Sequence, residues 1–233
     1  MKLVIQAGGA GTRLRPVTYE IPKPLITVKK KPILNHLLEF FSKYGVKDHI
    51  INISEDHIED YKWWHKRYGK QLSKNLKIVV EKGALGTFGG FKDLKKHLKE
   101  RFVLSWGDEL KDFEFDKFLK AHDQNPDKPV ATIACVKVED ASRYGVPVME
   151  GTRVKEFLEK PANPPSNFVN SGLAIIEPEI FKYADFSKGF LMIEKDIYPK
   201  LAVAGKLAGY KIEHGRWYDC GTLERWEKAI KEW

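Results

Sequence analysis

The chain has 233 residues, 42% of them hydrophobic and 31% charged, enough for one large α/β domain with its own core. Its formal charge of +8 comes from cations interleaved with acids, which suits small phosphorylated substrates and argues against nucleic acid as a partner. No apolar run is long enough for a spanning helix, no signal-peptide pattern opens the chain, and Cys135 and Cys220 form no ligand pair; the expectation is a cytoplasmic protein with free thiols and no membrane partner.

Leu3-Val4-Ile5 reads as a short buried strand, and Gly8, Gly9 and Gly11 follow at once. Glycine permits φ > 0 and close backbone approach, so this loop can aim several N–H donors at one anion. Arg13, Arg15 and Lys23 add positive charge, and together these features point to a phosphate site at the carboxyl end of the strand. It is not a P-loop, because Thr12-Arg13 follows Gly11. Nor is it a dinucleotide fingerprint, because Leu14 stands where the third glycine belongs.

Residues 33–44 place Ile33, Leu34, Leu37, Leu38 and Phe41 on one helical face, with Gly45 as the stop. A second strand spans 46–53. The polar and aromatic stretch 56–68 carries Trp63 and Trp64, which cannot both face one core. A third strand, 76–81, completes a β-α-β-α-β alternation, the pattern of a parallel sheet with helices on both faces. A second glycine-rich loop, 83–90, leads into a lysine-rich helix over 91–99. Residues 101–105 form a fourth strand with Trp106-Gly107-Asp108 at its carboxyl end, where open α/β sheets collect ligands. A carboxylate there, beside a phosphate loop, is a natural ligand for Mg²⁺.

The pattern then changes. A strand at 130–138 is followed by 144–149 and 153–158, which read as a hairpin about Glu150-Gly151. Glu159-Lys160-Pro161 ends the second arm, and Val169-Asn170-Ser171-Gly172 opens another strand. A helix is expected over 190–204 with Glu194-Lys195-Asp196 on its polar side, then a strand over 205–213. Trp217-Tyr218-Asp219-Cys220-Gly221-Thr222 precedes a final amphipathic helix. The histidines show no metal-ligand spacing, and no Ser/His/Asp or Cys/His set is present.

The segment from Gly8 through Arg13 to Thr18, with Pro22-Lys23-Pro24-Leu25, resembles the GGxGTRLxPxT…PKPL signature of sugar-1-phosphate nucleotidylyltransferases, the nucleotide-sugar pyrophosphorylases. Later segments repeat the likeness in order. Glu81 to Gly89 is similar to E-x-x-P-L-G-T-A-G, with Ala84 in place of proline and Phe88 in place of alanine. Asp108 matches the last position of an NGD-like triplet, with Trp106 as a departure. Tyr144-Gly145-Val146, Phe157 to Pro161 and Asn170 to Gly172 match Y-G-V, F-x-E-K-P and N-x-G. Trp217 to Thr222 matches W-x-D-I-G-T, with Cys220 for isoleucine. Within the family the likeness is strongest to mannose-1-phosphate guanylyltransferases and short hexose- or heptose-phosphate relatives.

This resemblance implies a Rossmann-like α/β fold: a mostly parallel mixed sheet, helices on both faces and an antiparallel sugar-binding insertion. It implies a single nucleotidyltransferase domain over 1–233, with 1–130 as the nucleotide-binding half, 131–233 as the sugar-phosphate half, and no C-terminal β-helix. The implied reaction is NTP plus sugar 1-phosphate giving NDP-sugar and pyrophosphate, with Arg13, Lys23 and Asp108 as catalytic residues. Ala7, Gly8, Gly9, Gly11, Thr12, Arg13, Glu81, Gly86 and Thr87 would bind the nucleotide. Tyr144, Gly145, Glu159, Lys160, Asn170 and Gly172 would bind the sugar phosphate, and Asp108 and Asp219 would hold Mg²⁺. Glu81 favours GTP, because a carboxylate can accept from both N1–H and the N2 amine of guanine. UTP or dTTP as donor, a glycosyltransferase and a non-catalytic nucleotide binder stay open as alternatives, as does a homo-oligomer.

Overall fold

The structure, a computed structural model, describes residues 1–233. The first apolar run does form a strand, β1 (Lys2–Gln6), with Leu3, Val4 and Ile5 fully buried. Two short strands, β2 (Thr27–Val28) and β3 (Lys31–Pro32), lead into α1 (Ile33–Lys43), whose apolar face is buried as its spacing dictates. Next come β4 (Asp48–Ser54), α2 (Ile58–Trp64), α3 (Lys70–Leu72) and β5 (Asn75–Glu81). One turn of helix, α4 (Phe91–Leu94), precedes β6 (Phe102–Trp106), β7 (Glu109–Phe113) and α5 (Phe115–Asp123). Strands β8 (Ala131–Lys137), β9 (Gly145–Glu150), β10 (Arg153–Glu159) and β11 (Phe168–Ile176) follow. The chain ends with α6 (Tyr198–Val203), β12 (Leu207–Lys211), β13 (Gly215–Asp219) and α7 (Leu223–Glu232). No helix is long and apolar enough to cross a membrane.

The main sheet has nine strands, and the chain divides into two compact units. The first comprises Met1–Gly83, Ser105–Phe113 and Gly215–Trp233. In it β1, β4 and β5 are parallel neighbours, with Gln6 opposite Asn52 and Ser54 opposite Glu81. Helix α1 packs Leu34, Leu37, Leu38 and Phe41 into this core. The adjacent indoles separate: Trp64 is buried and donates to Asn35 Oδ1 at 2.7 Å, while Trp63 faces solvent beneath the Arg67 guanidinium. Strands β7 and β13 form an antiparallel ribbon with Asp219 opposite Glu109.

The second unit comprises Ala84–Leu104 and Glu114–His214, and carries the strand order β11-β8-β12-β10-β9. Here β8 pairs parallel with β12 and antiparallel with β11, and β9 and β10 form the expected hairpin. Gly86 and Thr87 therefore belong to the second unit and Asp219 to the first, although their sequence order suggests the reverse. The core includes a cluster of rings: Phe88 lies 4.5 Å from Phe91 and 6.1 Å from both Phe181 and Phe186. Phe88, which departs from the resembled loop pattern, is thus a core residue with no exposed surface.

Two expected helices are shorter than their patterns. The 91–99 segment gives only α4 and a 3-10 turn, Lys95–His97, because Lys92, Lys95, Lys96 and Lys99 repel along one helical face. The 190–204 segment breaks into a π-turn, Ile193–Ile197, and α6, where Pro199 sits in the first turn and cannot donate backward. Truncation of the central ring, Phe88→Ala, should lower stability by about 3–5 kcal/mol, read as an earlier urea midpoint, without changing nucleotide preference. An unchanged midpoint would show that the ring cluster does not support the fold.

Candidate active site

The first unit assembles its site at the carboxyl ends of β1 and β6. Ala7 N–H donates to Asn52 O at 2.8 Å, fixing the direction in which the chain leaves β1. At Gly11 the backbone turns with φ 65°, and a Cβ there would meet the Thr18 methyl at 2.8 Å. Thr18 Oγ1 donates to Gly11 O and Leu14 N–H donates to the same carbonyl, both at 2.8 Å, so the loop is locked behind Gly9, Ala10 and Arg13. Gly107 is needed for a different reason: its N–H donates to Gln6 O at 2.9 Å, and a Cβ would lie 2.9 Å from that oxygen and from Pro24. This close approach seats the Trp106-Gly107-Asp108 turn against the end of β1.

Lys23 then reaches Asp108 Oδ2 at 2.6 Å. Burial alone would raise the Asp108 carboxyl, but Lys23, through its charge and its hydrogen bond, holds it below the usual carboxylate range. Asp219 arrives from β13, and Cys220 N–H donates to Asp108 O at 3.0 Å, so the two aspartates are brought side by side. Asp219 Oδ1 accepts from Gly221 N–H at 2.6 Å, and its other oxygen accepts from Arg225. Its carboxyl is nevertheless raised, first by burial and then by the Asp108 charge, against the pull of Arg225 and Arg13. Cys220 is fully buried, and burial with its three acidic neighbours pushes the thiol upward, away from nucleophilic use.

At the end of β5, Glu81 Oε1 accepts from Asn52 Nδ2, which also donates to Gln6 Oε1 at 2.6 Å. The other oxygen of Glu81 faces Gly8, where a Cβ would lie 3.2 Å from it. Burial raises the Glu81 carboxyl and the Asn52 donor opposes it.

The second unit carries the remaining expected residues. The loop of Gly86 and Thr87 is strapped to the 191–194 segment: Phe88 N–H donates to Leu191 O at 2.8 Å, and Leu191 N–H to Leu85 O at 3.0 Å. Thr87 Oγ1 donates to the buried Glu194 Oε2 at 2.6 Å and accepts from Ile193 N–H at 2.9 Å. The Glu194 carboxyl is raised by burial and by Glu159, with Thr87 and Lys160 opposing. Glu159 stands opposite Gly145 across the hairpin and pairs with Lys160 at 3.0 Å; Glu159 is mostly buried, while Lys160 is exposed. Lys160 N–H donates to Tyr144 O at 3.0 Å, placing Tyr144, Gly145, Glu159 and Lys160 together. Asn170 Oδ1 accepts from Gly172 N–H at 3.2 Å within the irregular part of β11. So Ala7, Gly8, Gly9, Gly11, Thr12, Arg13, Lys23, Glu81, Asp108 and Asp219 lie in the first unit, and the rest lie in the second.

Residues 2–233 match the model of a family described as nucleotidyl transferase. The chain is 37% identical over 227 residues to the mannose-1-phosphate guanylyltransferase catalytic subunit beta of Danio rerio, covering 95% of this chain and 61% of that protein. It is 31% identical over 245 residues to the UTP–glucose-1-phosphate uridylyltransferase of Synechocystis sp., covering 99% of this chain and 63% of that protein. The chain thus spans about three fifths of the length of these curated relatives. Among solved structures, HddC from Yersinia pseudotuberculosis complexed with GMP-PN aligns with a TM-score of 0.80 and 27% identity, over 99% of this chain and 98% of that one. The Rossmann-like α/β class expected from the sequence is the class observed.

Sequence reasoning missed what lies beneath the aspartates. Glu109 and Lys111 alternate onto one face of β7, and Lys111 Nζ reaches Glu109 Oε2 at 2.6 Å with both side chains buried. Trp217 Nε1 donates to the same oxygen at 3.1 Å. Burial raises the Glu109 carboxyl, and Asp108 and Asp219 add to the effect. The only signal was period-two spacing of two charges after Asp108. Lys111→Met should remove the charge that opposes the rise of the Glu109 carboxyl, leave Glu109 buried without its cation and cost about 3–5 kcal/mol, whereas Glu109→Leu with Lys111→Met should recover most of that loss. Urea titration of the three proteins checks this; a single variant as stable as the parent would remove the pair from the account.

Proposed function

The chain belongs to the nucleotidyl transferase family, and we propose that it transfers a nucleoside monophosphate from an NTP to a sugar 1-phosphate, with GTP as the preferred donor. The observation that carries this reading is Lys23 paired to Asp108, with Asp219 beside it, at the foot of the Gly8–Gly11 loop. Such a loop offers backbone N–H groups to a triphosphate, and Arg13 and Lys23 offer the positive charge that a departing pyrophosphate needs.

The chemistry asks little of a general base. The second pKa of a phosphate monoester is about 6, so near neutral pH the sugar phosphate is already a dianion. One of its oxygens attacks the α-phosphorus, the bond from that phosphorus to the β-phosphate oxygen breaks, and pyrophosphate leaves with the electron pair. Catalysis is then alignment and charge neutralisation. Lys160, exposed and anchored through its backbone to Tyr144, holds the incoming phosphate, and Glu159 accepts from sugar hydroxyls.

Asp108 and Asp219 fit a magnesium ion. Both are hard oxygen donors, and the Asp219 carboxyl is raised by burial and then by the charge of Asp108, a repulsion that a dication relieves. Mg²⁺ is usually held by one or two carboxylates together with substrate phosphates, and no larger protein cluster is needed. When bound, it would neutralise charge on the phosphate oxygens.

GTP is favoured by the two adjacent donors of guanine, which match a carboxylate such as Glu81. The Danio rerio relative is named a guanylyltransferase, and HddC was solved with GMP-PN. Mannose 1-phosphate is accordingly the first acceptor to test.

Pyrophosphate release with four NTPs, mannose 1-phosphate and Mg²⁺ decides the class and the base. GTP should exceed UTP and dTTP by about tenfold or more in kcat/KM; UTP or dTTP ahead of GTP would overturn the base assignment. Arg13→Ala should lower kcat by about 10²–10³-fold with little change in sugar-phosphate KM, and Lys160→Ala should mainly raise that KM. Asp108→Asn and Asp219→Asn should each abolish turnover while the fold persists. Equal losses in both parameters for Arg13→Ala and Lys160→Ala would contradict the assigned roles.

A further inference from the structure

Asn52 occupies the middle of the parallel sheet and has no exposed surface. A buried amide there costs free energy unless its hydrogen bonds are made. Its Nδ2 spends both hydrogens on side chains at strand ends: Gln6 Oε1 on β1 and Glu81 Oε1 on β5. The carboxylate fixes the orientation of the amide, because only the nitrogen can donate to it. The cost of that orientation is visible, since Asn52 Oδ1 is buried without a partner. The same contact leaves Glu81 with one oxygen held from below and the other facing Gly8 of the phosphate loop.

We propose that Asn52 is a positioning residue for base selection, holding Glu81 as an acceptor-only carboxylate turned toward the nucleotide loop so that guanine is preferred over uracil. The inference rests on the reading of Glu81 as the base-recognising group. A carboxylate matches the N1–H and N2 amine of guanine, whereas a protonated carboxyl presents a donor to those donors and suits the carbonyls of uracil instead. From β1 with its loop and from β4, Glu81 meets the Asn52 amide, which Gln6 shares, and Gly8, none of them charged. Burial pushes its carboxyl up, and the Asn52 donor is the contact that opposes this. Removal of that donor therefore moves Glu81 toward the protonated form and frees its side chain to turn.

The test compares the parent with Asn52→Leu, Asn52→Asp and Glu81→Gln. It measures kcat/KM for GTP and UTP with mannose 1-phosphate across pH 5–9, and binding of both triphosphates by calorimetry as a readout independent of turnover. In Asn52→Leu the GTP:UTP ratio should fall about tenfold or more, and the acid limb of the GTP profile should move to higher pH. Asn52→Asp, nearly isosteric and placing a second carboxylate beside the first, should shift both further. Adding Asn52→Leu to Glu81→Gln should change the ratio no further, because the group through which Asn52 acts no longer titrates. A merely structural Asn52 predicts equal losses for both triphosphates with an unmoved acid limb, and that result overturns the proposal. A parent protein that turns over no NTP with any sugar phosphate overturns the transferase reading. A parent that is active, but whose base ratio is insensitive to Glu81→Gln, overturns only this inference.

Discussion

Two aspartates set side by side in a mostly buried place repel each other, and the way this repulsion is met organises the first unit. Lys23 meets Asp108 directly, and Asp108 is held ionised. Arg225 and the Gly221 amide meet Asp219 less completely, and its carboxyl stays raised, first by burial and then by the Asp108 charge. The pieces that assemble this arrangement are local and few: a glycine that lets the Asp108 turn touch β1, a ribbon that sets Asp219 opposite Glu109, and a loop that delivers Lys23. On the proposed reaction the incomplete neutralisation is useful. A site already saturated by cationic side chains would have no use for a dication, and one without Lys23 would bind the polyanion poorly.

Much of the fold was legible because its signals were local. The cores of β1, α1, β4 and β5 fell where apolar periodicity placed them, and the left-handed turn at Gly11 fell within the glycine run that follows β1. The separation of Trp63 from Trp64 followed from helix geometry. The ribbon of β7 and β13 was not legible, because its two strands lie about a hundred residues apart and its inward face carries Glu109 and Lys111 where alternation predicts apolar residues. Asn52 was hidden for a related reason: within a strand it reads as one polar residue in an apolar run, and its role exists only once β1 and β5 flank it. Phe88 looked like a change at the nucleotide loop and is instead the centre of a ring cluster, a distinction that depends on Phe181 and Phe186 from far along the chain.

The Glu159-Lys160-Pro161 turn shows a different physical mark. Lys160 holds φ 51°, a left-handed conformation that a non-glycine residue adopts only when its surroundings over-determine it. Here they do: its N–H is taken by Tyr144 O, its ammonium pairs with Glu159, and Pro161 follows. Thr87 shows the opposite economy, its hydroxyl committed to Glu194 and Ile193, which ties its loop to the 191–194 segment.

The central claim, direct exchange between a sugar phosphate and pyrophosphate at the α-phosphorus, is tested most directly in reverse. The protein would be incubated with GDP-mannose, labelled pyrophosphate and Mg²⁺, and the nucleotides separated. The account predicts labelled GTP, formed only when the nucleotide sugar is present, and none with GMP alone or with a chelator. Absence of label in any triphosphate when GDP-, UDP- and dTDP-sugars are each supplied would contradict it.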